Sequence, residues 1–303
     1  MRSVGRFAPS PTGDLHYGSL IAAVGSWLDA KSVPDGRWLL RIDDLDTARV
    51  RTDSEASILA TLQAFGFEWP EPVWRQSARL QRYHEGLEQL RQRIPLFHCQ
   101  CSRRQLATEG EACCVGHCRQ LRCDPRESSL RADLSGLAAT LIVDRSLGEI
   151  RFDPARHSDV IVRRRDGVFA YQFAVVIDDA DQGVTDVVRG ADLLDSTPWQ
   201  LGLLQALRLS APRYLHLPVV VEADGQKLAK SRHSVRVGDT DVADPQATIE
   251  GVASQLRQAL KNLRQPEPPA GIHQPQELLK LAAAAWQPER FKGEREIRLP
   301  PTS

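Results

Sequence analysis

An α/β fold built on a parallel sheet is predicted for this 303-residue chain by three observations. A short apolar strand, a loop broken by prolines and a helix-patterned run lead to a second apolar strand ending at Ile42. The same alternation resumes at Asp159. Between the two stretches lies a cysteine-rich segment with no periodic apolar pattern. Strand–loop–helix–strand at this spacing is the crossover unit that joins parallel strands. Sheets of this kind bind ligands beyond the carboxyl ends of their strands.

In chain order, Ser3–Ala8 reads as a buried first strand, and Pro9, Pro11 and Gly13 break the next stretch into a loop. Leu20, Ile21, Val24, Trp27 and Leu28 then recur on one helix face, with the helix starting at Gly18. Arg37–Ile42 reads as a strand, followed at once by the acidic Asp43-Asp44-Leu45-Asp46. A helix from about Ser54 turns Ile58, Leu59, Leu62 and Phe65 inward and stops at Gly66. Phe97 to Asp124 breaks the rhythm, which returns with Asp159–Arg164, Val168–Ile177, Thr185–Val188 and a helix near Pro198–Leu207. Asp244-Pro245, a cap followed by proline in the first turn, opens a helix ending near Leu263. Gln265–Gln276 is a proline-rich linker, and Glu277–Trp286 a last short helix.

A chain of this length buries a substantial core, as one large domain with appendages or as two domains. Charged residues make up 26%, and 39 basic side chains balance 39 acidic ones, as in a globular protein. Zero net charge argues against a blanket nucleic-acid coat but not against a local basic face. The start MRSVGRFAPSPTG lacks an apolar h-region, and no apolar run approaches the roughly 18 residues of a spanning helix. A cytoplasmic protein with no membrane partner is therefore expected, and separately a monomer.

Positive charge is written almost entirely as arginine, with six lysines against 33 arginines, and only Lys31 precedes residue 227. Two lysines within four positions, Lys227 and Lys230, stand out in that background. A compact ammonium suits a mobile phosphate better than a rigid planar fork. At the other end of the chain, a helix starting at Gly18 aims free backbone N–H groups and its positive dipole end at the preceding loop, a seat for phosphate. His16 beside it can donate to phosphate oxygens as charge builds in a transition state. Gly18 admits a ligand close to the backbone.

The cysteines form a third cluster. Five of the six fall between Cys99 and Cys118, with Cys123 close behind. Cys99-x-Cys101, twelve intervening residues and Cys114-x3-Cys118 make a four-thiolate zinc pattern, and a cytosolic setting favours metal over disulfides. Cys113 and His117 are rivals for the third position. Four protein ligands leave no open site, so one structural zinc ion is expected.

The stretches RFAPSPTGDLHYGSL, RIDDLD and KLAKS resemble the glutamyl branch of the class I aminoacyl-tRNA synthetases, as do RRRDGVFAYQFAVVIDDADQGVTDVVRGADLL and YLHLPVV. The resemblance runs from about Gly5 to Arg232. The branch usually has KMSKS where this chain has KLAKS, which keeps both lysines and the serine. A Rossmann-like catalytic domain is implied, with its first half at 1–96, a zinc-bearing insertion at 97–158, its second half at 159–240 and a short helical C-terminal appendage at 241–303. The implied reaction uses ATP, with magnesium held largely through its phosphates, to activate L-glutamate. His16, Lys227 and Lys230 match catalytic positions, while His16, Gly18, Ser19 and Lys230 match ATP-binding ones. Arg6, Ala8, Ser10, Asp43, Tyr171 and Arg189 match the glutamate site. Glutamate presents two carboxylates and one ammonium, so arginines and an acidic group suit it. Asp43 departs from the glutamate usual in the branch; one methylene shorter, it needs a closer or water-bridged contact. The branch often has tyrosine as third zinc ligand, and Cys114 occupies that position.

Only a short tail follows the KLAKS motif, which makes the chain similar to the truncated glutamyl-queuosine tRNA(Asp) synthetases. That similarity implies glutamate activation without tRNA, then transfer to the queuosine base at the wobble position of tRNA(Asp). The anticodon loop would be gripped by stacking and phosphate contacts, with Arg163–Arg165 as candidates unless they form a solvated strand edge. Two other readings are a shortened glutamyl-tRNA synthetase charging the tRNA 3′ end and a non-enzymatic, zinc-containing tRNA-binding module. Intact His16, Gly18, Lys227, Lys230, Arg6 and Arg189 argue against the last.

Overall fold

The computed structural model describes residues 3–70, 72–101, 117–221 and 245–298. Lys227, Lys230, Ser231, Cys113 and Cys114, and the side chain of His117, lie outside the described residues. The chain enters the central sheet through β1 (Val4–Phe7), all four residues buried, and crosses through α1 (Tyr17–Lys31) to β2 (Arg37–Ile42). Helix α1 begins one residue before the expected Gly18, with His16 in extended conformation at its cap. Nearly every side chain from Leu20 to Ala30 is buried, the mark of a helix enclosed by the core rather than laid upon it.

A second crossover through α2 (Ser54–Ala64) reaches the two-residue β3 (Trp74–Arg75), parallel to β2. Gly66 stops α2 as its position predicts. Its φ is +77°, the Phe67 N–H donates to the Leu62 carbonyl, and the Gly66 N–H donates to the Gln63 carbonyl. This is the Schellman pattern, in which a left-handed glycine lets the chain satisfy carbonyls the helix leaves open.

Beyond α3 (Leu80–Arg91), five strands depart from the parallel plan: β4 (Leu96–Cys99), β5 (Ser129–Asp133), β6 (Thr140–Asp144), β7 (Gly148–Phe152) and β8 (Asp159–Arg163). β4, β5 and β8 form an antiparallel sheet, and β6 with β7 a hairpin. Asp159–Arg163 is thus a strand, as expected, but it pairs antiparallel with β5 instead of extending the parallel sheet. Short runs of apolar residues carry no information on pairing direction, which the surrounding turns decide.

The parallel plan returns with α4 (Tyr171–Asp181), β9 (Asp186–Gly190), α5 (Thr197–Leu207) and β10 (Arg213–Leu217), after which comes β11 (Val219–Val221). The central sheet has the order β10–β9–β1–β2–β3, all neighbours parallel. Strand order therefore reverses between β1 and β9, opening a crevice at the sheet's carboxyl edge. Residues on β9 and β10 alternate between two cores: Val188 and Leu215 face one, Val187 and Tyr214 the other. In the first core Trp38 is fully buried, stacked between Phe7 and Phe67 at 6.2 and 5.5 Å. The C-terminal helices α6 (Pro245–Asn262) and α7 (Pro275–Ala284) share this core through Leu256, Leu260, Leu278 and Ala282. A last strand, β12 (Glu296–Arg298), pairs parallel with β11 and has no strong sequence signal.

Gly66→Ala is expected to destabilise the protein by about 1–3 kcal/mol, since it places a Cβ at positive φ. That Cβ would also stand 2.8 Å from the Gln276 backbone nitrogen on α7. Urea denaturation should show a lower midpoint with an unchanged slope.

Candidate active site

A cavity of about 550 Å3 opens at the carboxyl ends of β1 and β9, at the point where strand order reverses. Arg6, Ala8, Ser10, His16, Gly18, Ser19, Asp43, Tyr171 and Arg189 all line it. Every described residue expected in the ATP and glutamate sites thus faces one space. Strand β1 ends in the Ala8–Ser10 loop, which is pinned to β2 by the Asp43 N–H donating to the Pro9 carbonyl at 3.0 Å. Tyr171 opens α4 with 37% of its surface exposed, so it is a wall of the cavity and not a core aromatic. A Cβ built on Gly18 meets no described atom within 4 Å. Packing does not demand glycine there; the room in front of the helix start is cavity. Tyr17 turns the other way and accepts from Asn262 Nδ2 at 2.9 Å, tying the helix start to α6.

Beneath this surface lies an ionic cluster. Arg41 on β2 is fully buried and its Nε donates to Asp43 at 2.7 Å. Its Nη1 donates to Asp179 at 2.7 Å, and Asp178 stands 3.6 Å from its Nε. Asp179 also accepts from Arg6 Nε at 3.2 Å, while Asp178 accepts from Gln76, Arg79 and Tyr83. Burial opposes the Arg41 charge, yet Asp43, Asp179 and Asp178 together hold the guanidinium well above its ordinary range. The two carboxylates beside it diverge. Burial pushes Asp43 up to about 6, which Arg41, its one cationic partner among the described residues, only partly offsets. Asp179 feels the same burial, but Arg6 and Arg41 acting together hold it below the usual carboxylate range. Asp43 is therefore an anion at neutral pH that titrates just below it. Its contact with Arg41 leaves it at the cavity lining, where it can meet an ammonium.

Arg189, on β9, is held by three further groups: Nη2 donates to Thr197 Oγ1 at 2.9 Å, Nε to His216 Nε2 at 3.2 Å, and Nη1 reaches Tyr171 Oη at 3.4 Å. Sequence reasoning does not single out Arg41, Asp178, Asp179, Thr197 or His216. Several sit inside the quoted motifs, but no spacing rule separates a residue that holds an arginine from one that fills a core.

Among the cysteines, the sulfurs of Cys99, Cys101 and Cys118 lie within 4.8 Å of one another, and those of Cys101 and Cys118 are 3.5 Å apart. A zinc tetrahedron with bonds of about 2.3 Å has edges of about 3.8 Å, so three thiolates at this separation fit a metal ion. Cys114, the expected fourth member, and its rival Cys113 lie outside the described residues. Cys123 packs against the same cluster. In the Arg163–Arg165 run, Arg164 is paired with Asp46 and Asp166, and Arg165 donates to the Gln100 carbonyl.

Residues 3–258 match the family of tRNA synthetases class I (E and Q), catalytic domain. The chain belongs to this family of class I synthetases, whose members are ligases. Its similarity to particular members runs almost the full length. Glutamyl-Q tRNA(Asp) synthetase of Pseudomonas aeruginosa is 46% identical over 292 residues, covering 95% of this chain and 94% of the relative. The protein of that name from Ectopseudomonas mendocina is 44% identical over 298 residues, covering 97% and 96%. Among solved structures, a glutamate tRNA ligase from Elizabethkingia meningosepticum in complex with its amino acid superposes with a TM-score of 0.74. It is 22% identical, with 98% of this chain and 67% of that one covered, and shows the same fold.

Asp179→Ala is expected to cost about 3 kcal/mol of unfolding free energy, because it strips a partner from buried Arg41. Asp181→Ala, which removes only partly exposed pairs with Arg79 and Arg82, should cost less than about 1 kcal/mol in the same chemical denaturation experiment.

Proposed function

We propose that this protein activates L-glutamate with ATP, without needing tRNA, and transfers it to the queuosine base in the anticodon loop of tRNA(Asp). The observation that carries the first half is one cavity lined by Arg6, Asp43, Tyr171 and Arg189 together with the helix start at His16. Two arginines and one carboxylate complement a ligand with two carboxylates and one ammonium. The second half rests on the name of relatives aligned along nearly their whole length.

In this reading Arg6 and Arg189 hold the carboxylates and Asp43 the α-ammonium, directly or through water. A carboxylate oxygen attacks the α-phosphorus of ATP and pyrophosphate leaves in line. His16 and the open N–H groups of the first turn of α1, including those of Gly18 and Ser19, stabilise the charge that builds on the phosphate. Lys227 and Lys230 are assigned the leaving pyrophosphate. Magnesium bound through the triphosphate would add positive charge there. Rate enhancement comes mainly from positioning and fixed charge. Cys99, Cys101 and Cys118 would supply three thiolates to one structural zinc, with Cys114, Cys113 or His117 as the fourth ligand.

Purified protein should catalyse glutamate-dependent ATP–pyrophosphate exchange without tRNA, and label tRNA(Asp) with glutamate only when queuosine is present. Equal labelling of tRNA(Asp) lacking queuosine would sink the acceptor assignment, and base-labile labelling of unmodified tRNA(Glu) would transfer it to the 3′ end. The KM for glutamate should rise as pH falls through about 6, because Asp43 is negative above its raised pKa and neutral below it. Asp43→Asn should show a high KM without that inflection; an inflection of equal size in both proteins removes Asp43 from the site. Elemental analysis should give one zinc per chain, lost on Cys118→Ser, and protein without zinc refutes the ligand set.

A further inference from the structure

Asp144 and His216 are buried, stand outside the cavity lining and take no part in the proposed chemistry. Asp144 ends β6 at the hairpin tip. Its Oδ1 accepts from the backbone N–H of Ser146 at 2.9 Å and of Leu147 at 2.8 Å. Its Oδ2 accepts from the His216 backbone N–H at 3.1 Å and lies 2.7 Å from His216 Nδ1. Burial alone would raise the Asp144 carboxyl, but these donors hold it below the usual range, so it is an ionised acceptor. A carboxylate that only accepts fixes the His216 proton on Nδ1.

The lone pair on Nε2 then faces Arg189. Arginine has no acceptor, so the 3.2 Å contact between Arg189 Nε and His216 Nε2 requires an unprotonated nitrogen. Burial, with Arg189 next door, keeps the imidazole neutral. Thr197 Oγ1 takes a hydrogen from Nη2 at 2.9 Å. Two acceptors on adjacent nitrogens set the plane of a guanidinium, and the Nη1 contact is with Tyr171, itself in the cavity wall. The hairpin tip that carries Asp144 is anchored in turn: the Gly293 N–H donates to the Ser146 carbonyl at 2.8 Å, and Arg145 Nη2 pairs with Asp29 of α1.

We propose that the Asp144–His216 pair is a positioning device for amino-acid binding, fixing the plane of Arg189 so that its N–H groups meet a carboxylate of glutamate. This rests on the reading of Arg189 as a glutamate-binding residue. Neither Asp144 nor His216 touches the substrate. Their effect passes through the arginine, so it falls on glutamate and spares ATP.

Exchange kinetics with His216→Leu should show a glutamate KM raised about tenfold, the loss of one hydrogen bond to a charged group, with the ATP KM within about twofold of the parent. His216→Gln, whose Oε1 can accept from Arg189 Nε, should recover most of the loss. A merely structural role would lower kcat or the melting temperature without separating the two substrates. If His216→Leu leaves the glutamate KM unchanged while Arg189→Ala raises it, the positioning inference falls and the glutamate site stands. If Arg189→Ala has no effect either, the glutamate reading itself falls. A measurement on the unaltered protein is independent of variant folding: 15N spectra of the histidine side chains should show His216 as the neutral Nδ1–H tautomer near neutral pH. An Nε2–H or doubly protonated ring overturns the proposal.

Discussion

Arg41 has no contact with solvent, and its charge persists there because three carboxylates reach it from two elements. An isolated buried guanidinium would be prohibitive. The consequence is a set of fixed distances. Asp178 and Asp179 on α4 must stand over β2, and Asp178 must also receive Gln76, Arg79 and Tyr83 from the segment after β3. Asp179 then captures Arg6 on β1. One ionic cluster therefore joins β1, β2, α3 and α4 under the cavity floor. A hydrophobic cluster of the same volume could be as stable, but it would not dictate where Arg6 and Asp43 present their charges.

The same cluster gives two carboxylates two characters. Asp179 answers to two arginines and stays firmly ionised, a structural anion. Asp43 answers to one, keeps access to the cavity and titrates near 6. Arg189, also in the lining, is oriented by neutral acceptors, His216 and Thr197, and pairs with no carboxylate among the described residues. Arg6, by contrast, is already paired, and shares its charge between Asp179 and whatever occupies the site. The two arginines thus present unequal fields to the cavity, a difference no inspection of the motifs reveals.

How much is legible depends on how local the cause is. The strand Arg37–Ile42 and the helix stop at Gly66 come from side-chain pattern and from one left-handed residue, and both stand where expected. Helix α6 begins at the expected Pro245. The pairing of Asp159–Arg163 departs from expectation because direction is set by partners distant in sequence. The hairpin bearing Asp144 gives no signal of its role, since an aspartate at a turn reads as an ordinary turn residue. Its partner His216 lies 72 residues away, and only folding brings them to 2.7 Å.

By itself the sequence supplied a helix start with His16 and Gly18, a cluster of thiols, and, through its family resemblance, two arginines and an acidic residue expected at a glutamate site. Those are properties of residue types in short motifs, and motifs are local. The tertiary structure decided that these groups share one cavity where strand order reverses, and that three of the cysteines converge. It also decided which charges are free to act, since Asp178 and Asp179 are taken up by Arg41, Arg79 and Arg6 through contacts spanning close to a hundred residues of chain or more. Such contacts depend on burial and low dielectric, which exist only once the chain has folded.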